Sequence, residues 1–253
     1  MTAVGDALAA ERIKLATTRS PLWCAVVVAV VSLGTAAALG AAGSEWTPVT
    51  PNDVAMGLAA VGVPVLMVVA ALTVTGEYRT GLIRTTLLAI PNRTIMIGAK
   101  ALLAVLVTVP FTAALMLLSL LAAKGQASAA GGMLLDLGSA AAWRPVWAVA
   151  VYAGLAVVLA IGVAALVRHS AGAVAVLLLW PFVLEPVLAV LPSTSGWARP
   201  LLPFTNAFAF TDVPWLYVTD GLWWGPTGSL VYFAVVAVAV FVAGAVVVNR
   251  RDA

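Results

Sequence analysis

Charge is what this sequence lacks most. Of its 253 residues only 9% are Asp, Glu, Lys or Arg, against about 25% in an ordinary soluble domain. Hydrophobic residues make up 63%, and mean hydropathy is +1.10. So few charges cannot cover the surface of so apolar a core. One or two water-soluble domains are therefore excluded, and lipid is the solvent for most of the chain. Cysteine occurs once, at Cys24, so no internal disulfide can form. Histidine also occurs once, at His169. Neither is expected near carboxylates, which argues against a metal site of the usual ligand set. No Gly-x-x-x-x-Gly-Lys-Ser/Thr loop is present, so the chain cannot hold ATP in that cradle. Intramembrane proteolysis is disfavoured too. A carboxylate pair would need two acids in apolar runs where there is one, and a Ser–His site would need its histidine in a span. No cofactor and no nucleic-acid partner are expected for this chain itself.

What the sequence does contain is six apolar runs, uncharged except for Glu185 in the fifth: 22–42, 54–75, 101–123, 146–167, 171–191 and 227–248. Each is long enough to cross a hydrocarbon core of about 30 Å, which takes about 20 helical residues. Nothing alternates over ten-residue stretches as barrel strands would. The expected fold is an all-α membrane protein, a single transmembrane domain over residues 1–253. The first run begins after some twenty mixed residues and reads as a retained span rather than a cleaved leader. Six spans put both termini on one side. That side holds Arg12, Lys14, Arg19, Arg79, Arg84, Arg93, Lys100, Arg168, Arg250 and Arg251, while the other holds only Lys124, Arg144 and Arg199. Basic loops stay in the cytoplasm, so both termini are expected there, in a cell membrane. Trp46, Trp143, Trp147, Trp197, Trp215, Trp223 and Trp224 then fall near the outer face and Trp23 near the inner one, as headgroup-level rings do. Trp180 falls mid-span.

Three segments between spans carry signal. In residues 1–20, Val4, Leu8 and Leu15 share a helical face away from most charges. This predicts a short helix lying along the inner leaflet, with Pro21 as its boundary with span one. In segment 76–100, Leu82, Ile83, Thr86, Leu87 and Ile90 line one face of a short helix. Pro91 ends it and Asn92 can cap the next. That exposed apolar strip wants a partner. Segment 192–226 is apolar but broken by Pro192, Pro200, Pro203 and Pro214, which predicts re-entrant or interfacial helices over the outer end. Segment 124–145, rich in Gly, Ala and Ser, carries little signal.

Glu185 is the one charge inside a predicted span, roughly 9 Å from its outer end at 1.5 Å per residue. Such a residue is costly and is a functional candidate by default. Pro181 and Pro186 flank it and free the carbonyls of Leu177 and Phe182. A protonated Glu185 could donate to such a carbonyl or to a neighbouring helix. With Trp180 and Phe182, these residues predict a broken helix beside a polar cavity or gate, or alternatively a bond that holds a kink. Span polarity is otherwise sparse, which fits an apolar or amphipathic cargo better than a water-filled ion pore.

Two motifs resemble a known family. Glu11-x-x-Lys14-Leu15-x-Thr17-Thr18-Arg19-Ser20-x-x-Trp23 resembles the opening of small permeases of the type-2 ATP-binding-cassette exporter family. Glu77-Tyr78-Arg79-x-Gly81-x-Ile83-x-x-Thr86-Leu87, followed by Pro91-x-Arg93 and Lys100, resembles that family's cytoplasmic segment after span two. The resemblance implies a six-span half-transporter that pairs with a second permease subunit and with cytoplasmic ATPase subunits that bind ATP and Mg. It further implies a connecting helix over 1–18 and a coupling helix within 77–91. In the latter, Glu77, Arg79, Leu82, Ile83, Arg84 and Leu87 would dock on the ATPase. Arg168 and His169 would make a smaller second contact. Spans two and five would line the path, with Trp180, Pro181, Glu185 and Pro186 at an outer gate. A membrane-bound assembly or immunity protein is the rival reading. A secondary transporter is disfavoured, because inverted repeats are missing and only span five looks broken.

Overall fold

The computed structural model describes residues 3–89, 92–191, 195–217 and 219–250. Ile90, Pro91, Pro192 and Arg251, which figure in the sequence reading, lie outside the described residues. So do the side chains of Val4, Arg84 and Leu87. Among the described residues the chain is helical, with no strand. Six helices are long and apolar enough to cross a membrane. They comprise α2 (Arg19–Ala42), α3 (Pro51–Val54) leading through a π-turn at Leu58–Gly62 into α4 (Val63–Thr80), and α6 (Arg93–Gln126). The rest are α7 (Ala140–Val167), the broken helix α8 (Ser170–Leu179) to α9 (Glu185–Val190), and α12 (Pro226–Arg250). Shorter helices are α1 (Ala3–Thr17), α5 (Leu82–Ala89), α10 (Ser195–Ala198) and α11 (Pro203–Thr211).

The helices outrun the apolar runs at their ends. The largest extension is in α6, whose 34 residues span about 51 Å at 1.5 Å per residue. Lys100, expected in the segment between spans two and three, therefore sits well inside a helix. The expected boundary at Pro21 is also displaced. The chain breaks at Thr18, which is extended, and Pro21 sits in the first turn of α2, where a missing N–H costs nothing. Gly81 ends α4 with a φ of 73°, a left-handed turn that glycine adopts without strain.

The spans alternate in direction, so α1, Gly81 with α5, the turn at 168–169 and the end of α12 gather at one end of the bundle. Contacts there bear this out. Arg93 Nη1 donates to the Val248 carbonyl at 2.8 Å and Arg168 Nη2 to the Val247 carbonyl at 3.1 Å. Two guanidinium groups thus supply donors to carbonyls that a helix C-terminus leaves unpaired. At the other end, the Val49 amide donates to the Gly131 carbonyl at 2.9 Å.

α4 and α7 are the enclosed helices, while α2, α6, α8–α9 and α12 leave most of their surface outward. Small residues set the spacing. A Cβ on Gly162 would lie 2.7 Å from the Phe241 backbone, so α7 and α12 touch almost backbone to backbone, as small residues permit in lipid. Beside this seam Tyr152, Phe204, Phe208, Tyr217 and Phe233 form a buried aromatic cluster, with adjacent centroids 4.6 to 5.9 Å apart.

Candidate functional site

At the end that carries the termini, four charged side chains from three helices close into one cluster. Glu11 and Lys14 come from α1, Glu77 from the last turns of α4, and Lys100 from α6. Lys100 Nζ lies 2.8 Å from Glu11 Oε2 and 2.8 Å from Glu77 Oε1. Lys14 Nζ lies 2.9 Å from Glu11 Oε1 and 2.6 Å from Glu77 Oε1. Lys100 also donates to the Thr73 carbonyl at 3.4 Å. Glu11, Glu77 and Lys100 are buried, and Lys14 remains partly open. Two acids and two bases cancel, which is what makes charges tolerable in a dry interior. Partial burial opposes the Lys14 ammonium. Its hydrogen bonds to Glu77 and Glu11, and their charges, outweigh that and hold its pKa above the ordinary lysine value.

The cluster shows what holds α1 to the bundle. The inward face carries Ala7, Glu11 and Lys14, at i, i+4 and i+7. Ala7 and Glu11 are buried, whereas Leu8 and Leu15 are half-buried. α1 is held by ion pairs to α4 and α6, a solution that apolar periodicity cannot register. It also corrects Glu77, expected to dock on a partner but enclosed in the cluster.

α5 follows α4 across Gly81. Its first residues differ from the expected strip: Leu82 is 54% exposed, but Ile83 is only 5% exposed and joins the core. Leu88, not singled out by the pattern, is 84% exposed. Among the described residues here, the large side chains that face outward are Arg79, Leu82 and Leu88. In the 168–170 turn, Arg168 is engaged within the fold, over the Tyr78 ring at 5.2 Å as well as on α12. His169 is exposed and caps α8, its Nδ1 accepting from the Gly172 amide at 3.3 Å.

The second candidate lies towards the opposite end. Pro181 cannot donate the helical bond, and residues 180–184 widen into a π-turn, a common response to a broken ladder. The turn brings Trp180 and Glu185 together, with Trp180 Nε1 donating to Glu185 Oε1 at 2.8 Å. Glu185 is fully buried. Among the described residues it has no carbonyl partner. Instead its carboxylate accepts from the Phe204 amide at 3.0 Å, the Thr205 amide at 2.8 Å and Thr205 Oγ1 at 3.3 Å. These amides belong to the first turn of α11, whose own N-cap Leu202 offers no side chain. Glu185 is thus a remote cap for a neighbouring helix, placed where the helix dipole favours an anion.

The other end of α11 is matched. Arg144 donates to the carbonyls of Phe210 at 3.0 Å and Thr211 at 3.3 Å, and lies 3.6 Å from Asp212. Asn206, buried in the middle, donates to Pro200 and Leu202 carbonyls and accepts from Trp224 Nε1 at 2.7 Å. The carbonyl of Pro181 itself takes the Tyr217 hydroxyl at 2.6 Å. Burial pushes that phenol's pKa up, keeping it a donor.

One cleft adjoins the ion cluster. It comprises two abutting cavities of about 360 and 140 Å³ between α1, α2, α4 and α6, which share Glu11, Leu15, Pro21, Val69 and Thr73. A third cavity of about 210 Å³, between α7, α8, α11 and α12, is lined by apolar side chains that include Trp180 and Phe204. Compared with known proteins, the chain matches no family model, no curated protein and no solved structure.

Proposed function

We propose that this chain is the membrane-spanning subunit of an ATP-binding-cassette exporter, moving an amphipathic or hydrophobic compound with work supplied by a separate ATPase subunit. Glu11 and Lys14 stand far in sequence from Glu77 and Lys100, and the four lie within the two motifs that carry the family resemblance. That all four meet in one neutral cluster is the observation that most favours this reading. Such a cluster would make α1, the end of α4 and the start of α6 move together.

In this reading both termini are cytoplasmic, α1 is the connecting helix at the inner leaflet, and α5 is the coupling helix. Arg79, Leu82 and Leu88 would face the ATPase, joined by Arg84 and Leu87 of the motif and by His169 as the smaller contact. Ile83 and Glu77 would instead tie α5 and α4 to the bundle. ATP binding on the partner supplies the differential energy, so this chain only has to be bistable. A second permease subunit would complete the pathway. α11, clamped by Glu185 and Arg144, would close its outer end.

The test is reconstitution of the chain with the ATPase that co-purifies with it. Arg79→Glu with Arg84→Glu, and separately Leu88→Asp, should lower cargo-stimulated ATP turnover at least tenfold, while the thermal midpoint of the purified chain stays unchanged. Transport by the chain alone, with no ATPase present, overturns the reading.

A further inference from the structure

The cleft beside the ion cluster has the shape and chemistry of an amphiphile site. Its volumes bring it into the range of small-molecule pockets, about 300–1,000 Å³. Along α4 it extends from Thr80 to Leu66, and along α6 from Lys100 to Phe111. At 1.5 Å per residue those stretches are about 21 and about 16 Å long. Over that depth the lining changes character. At the mouth stand Lys14, Thr18, Ser20, Glu77 and Arg79; at the deep end stand Leu66, Leu103, Ala104, Val107 and Phe111. Leu72 and Val107 are partly exposed on the outward surface of the spans, so a chain could enter sideways from lipid.

The mouth also holds uncommitted hydrogen-bonding capacity. Glu77 Oε1 accepts from both lysines, but Glu77 Oε2 is buried without any partner among the described residues. An orphaned buried carboxylate oxygen is costly. A bound donor would relieve it once the Glu77 side chain, which lines the mouth, turns that oxygen outward. Lys14 has three N–H donors and spends two, on Glu11 and Glu77. Arg79, which lines the same mouth, adds a positive charge near a cluster that is otherwise neutral. The mouth therefore has an acceptor for one N–H donor and a positive side for one anion.

We infer that this cleft binds a single-chain zwitterionic amphiphile, with a primary ammonium on Glu77, an acidic group towards Lys14 and Arg79, and its apolar chain between α2, α4 and α6. A quaternary ammonium cannot donate N–H to Glu77, and a plain anion brings no ammonium. Headgroup chemistry therefore discriminates. The site concerns binding by this chain alone and stands apart from the exporter reading.

The test uses the purified full chain in mild detergent, titrated with lysophosphatidylethanolamine, lysophosphatidylcholine or lysophosphatidylglycerol and followed by native mass spectrometry. The ethanolamine lipid should bind at least tenfold more tightly than either of the others. Ala104→Phe, which fills the deep end without touching the charges, should weaken it at least tenfold. Val231→Phe, on the outward face of α12, should leave it unchanged. Glu77→Gln should erase the preference for ethanolamine over choline. Equal binding of the three lipids, tighter binding of the glycerol lipid, or indifference to Ala104→Phe overturns the site. No ATPase enters the assay, so its result is separable from the exporter test.

Discussion

At the scale of single residues, the decisive side chains are the few charges that the apolar chain retains. Lys100 is the hub of the ion cluster, only 4% exposed and bonded to two carboxylates. Lys100→Met should destabilise the protein by about 3–5 kcal/mol, because it leaves buried acids facing each other. Adding Glu11→Gln should recover part of that loss, so the double change costs less than the sum of the singles in a thermal-unfolding cycle in detergent. Glu185→Ala should cost about 2–5 kcal/mol by the same measurement, since it strands two buried amides of α11. Glu185→Gln should fall between, because its remaining oxygen can still accept. The sequence marked Glu185 as exceptional, but not what it does. Its partners Phe204 and Thr205 lie about twenty residues on, beyond a proline-rich stretch, and an amide that needs a cap leaves no mark in the sequence.

At the scale of elements, α1 and α11 show how short helices are held in a bundle that has few charges. α11 is fixed by an anion at its start and a guanidinium at its end, both aligned with its dipole. α1 is fixed by ion pairs. The Lys14 pKa is raised in the folded protein, so its contribution is complete below the unfolded lysine value, about 10.4. It is lost as pH rises through the higher folded value. A spin label at Ala9→Cys, on the exposed side of α1, should report a docked helix from pH 5 to 9 and a released one only in strong alkali. Release near pH 6 would refute this assignment. α5 shows a limit of helical periodicity. Its apolar positions were legible, but Gly81 sets the entry angle and turns Ile83 into the core while Leu88 faces out.

At the scale of the whole molecule, the alternation of six long helices puts α1, α5 and the end of α12 together. In a background with Cys24→Ser, cysteines at Ala16 and Leu88 should react with an impermeant thiol reagent from the same side of a sealed vesicle. One at Trp46 should react from the other. Labelling of Ala16→Cys and Trp46→Cys from a single side would break the six-span topology. The sequence alone determined the number of spans and their places, because crossing a hydrocarbon core takes a long uncharged run and such runs are visible one residue at a time. Because the number of spans is even, it also determined that α1 and the end of α12 lie at one end of the bundle. Only the tertiary structure decided that α4 and α7 are the enclosed helices, that Glu11, Lys14, Glu77 and Lys100 form one cluster, and that Glu185 caps α11. Each of these depends on which helix faces which. Among helices uniformly rich in Ala, Val and Leu, that choice is made by close packing at residues such as Gly162 and by a few long-range polar bonds, neither of which has a period along the chain.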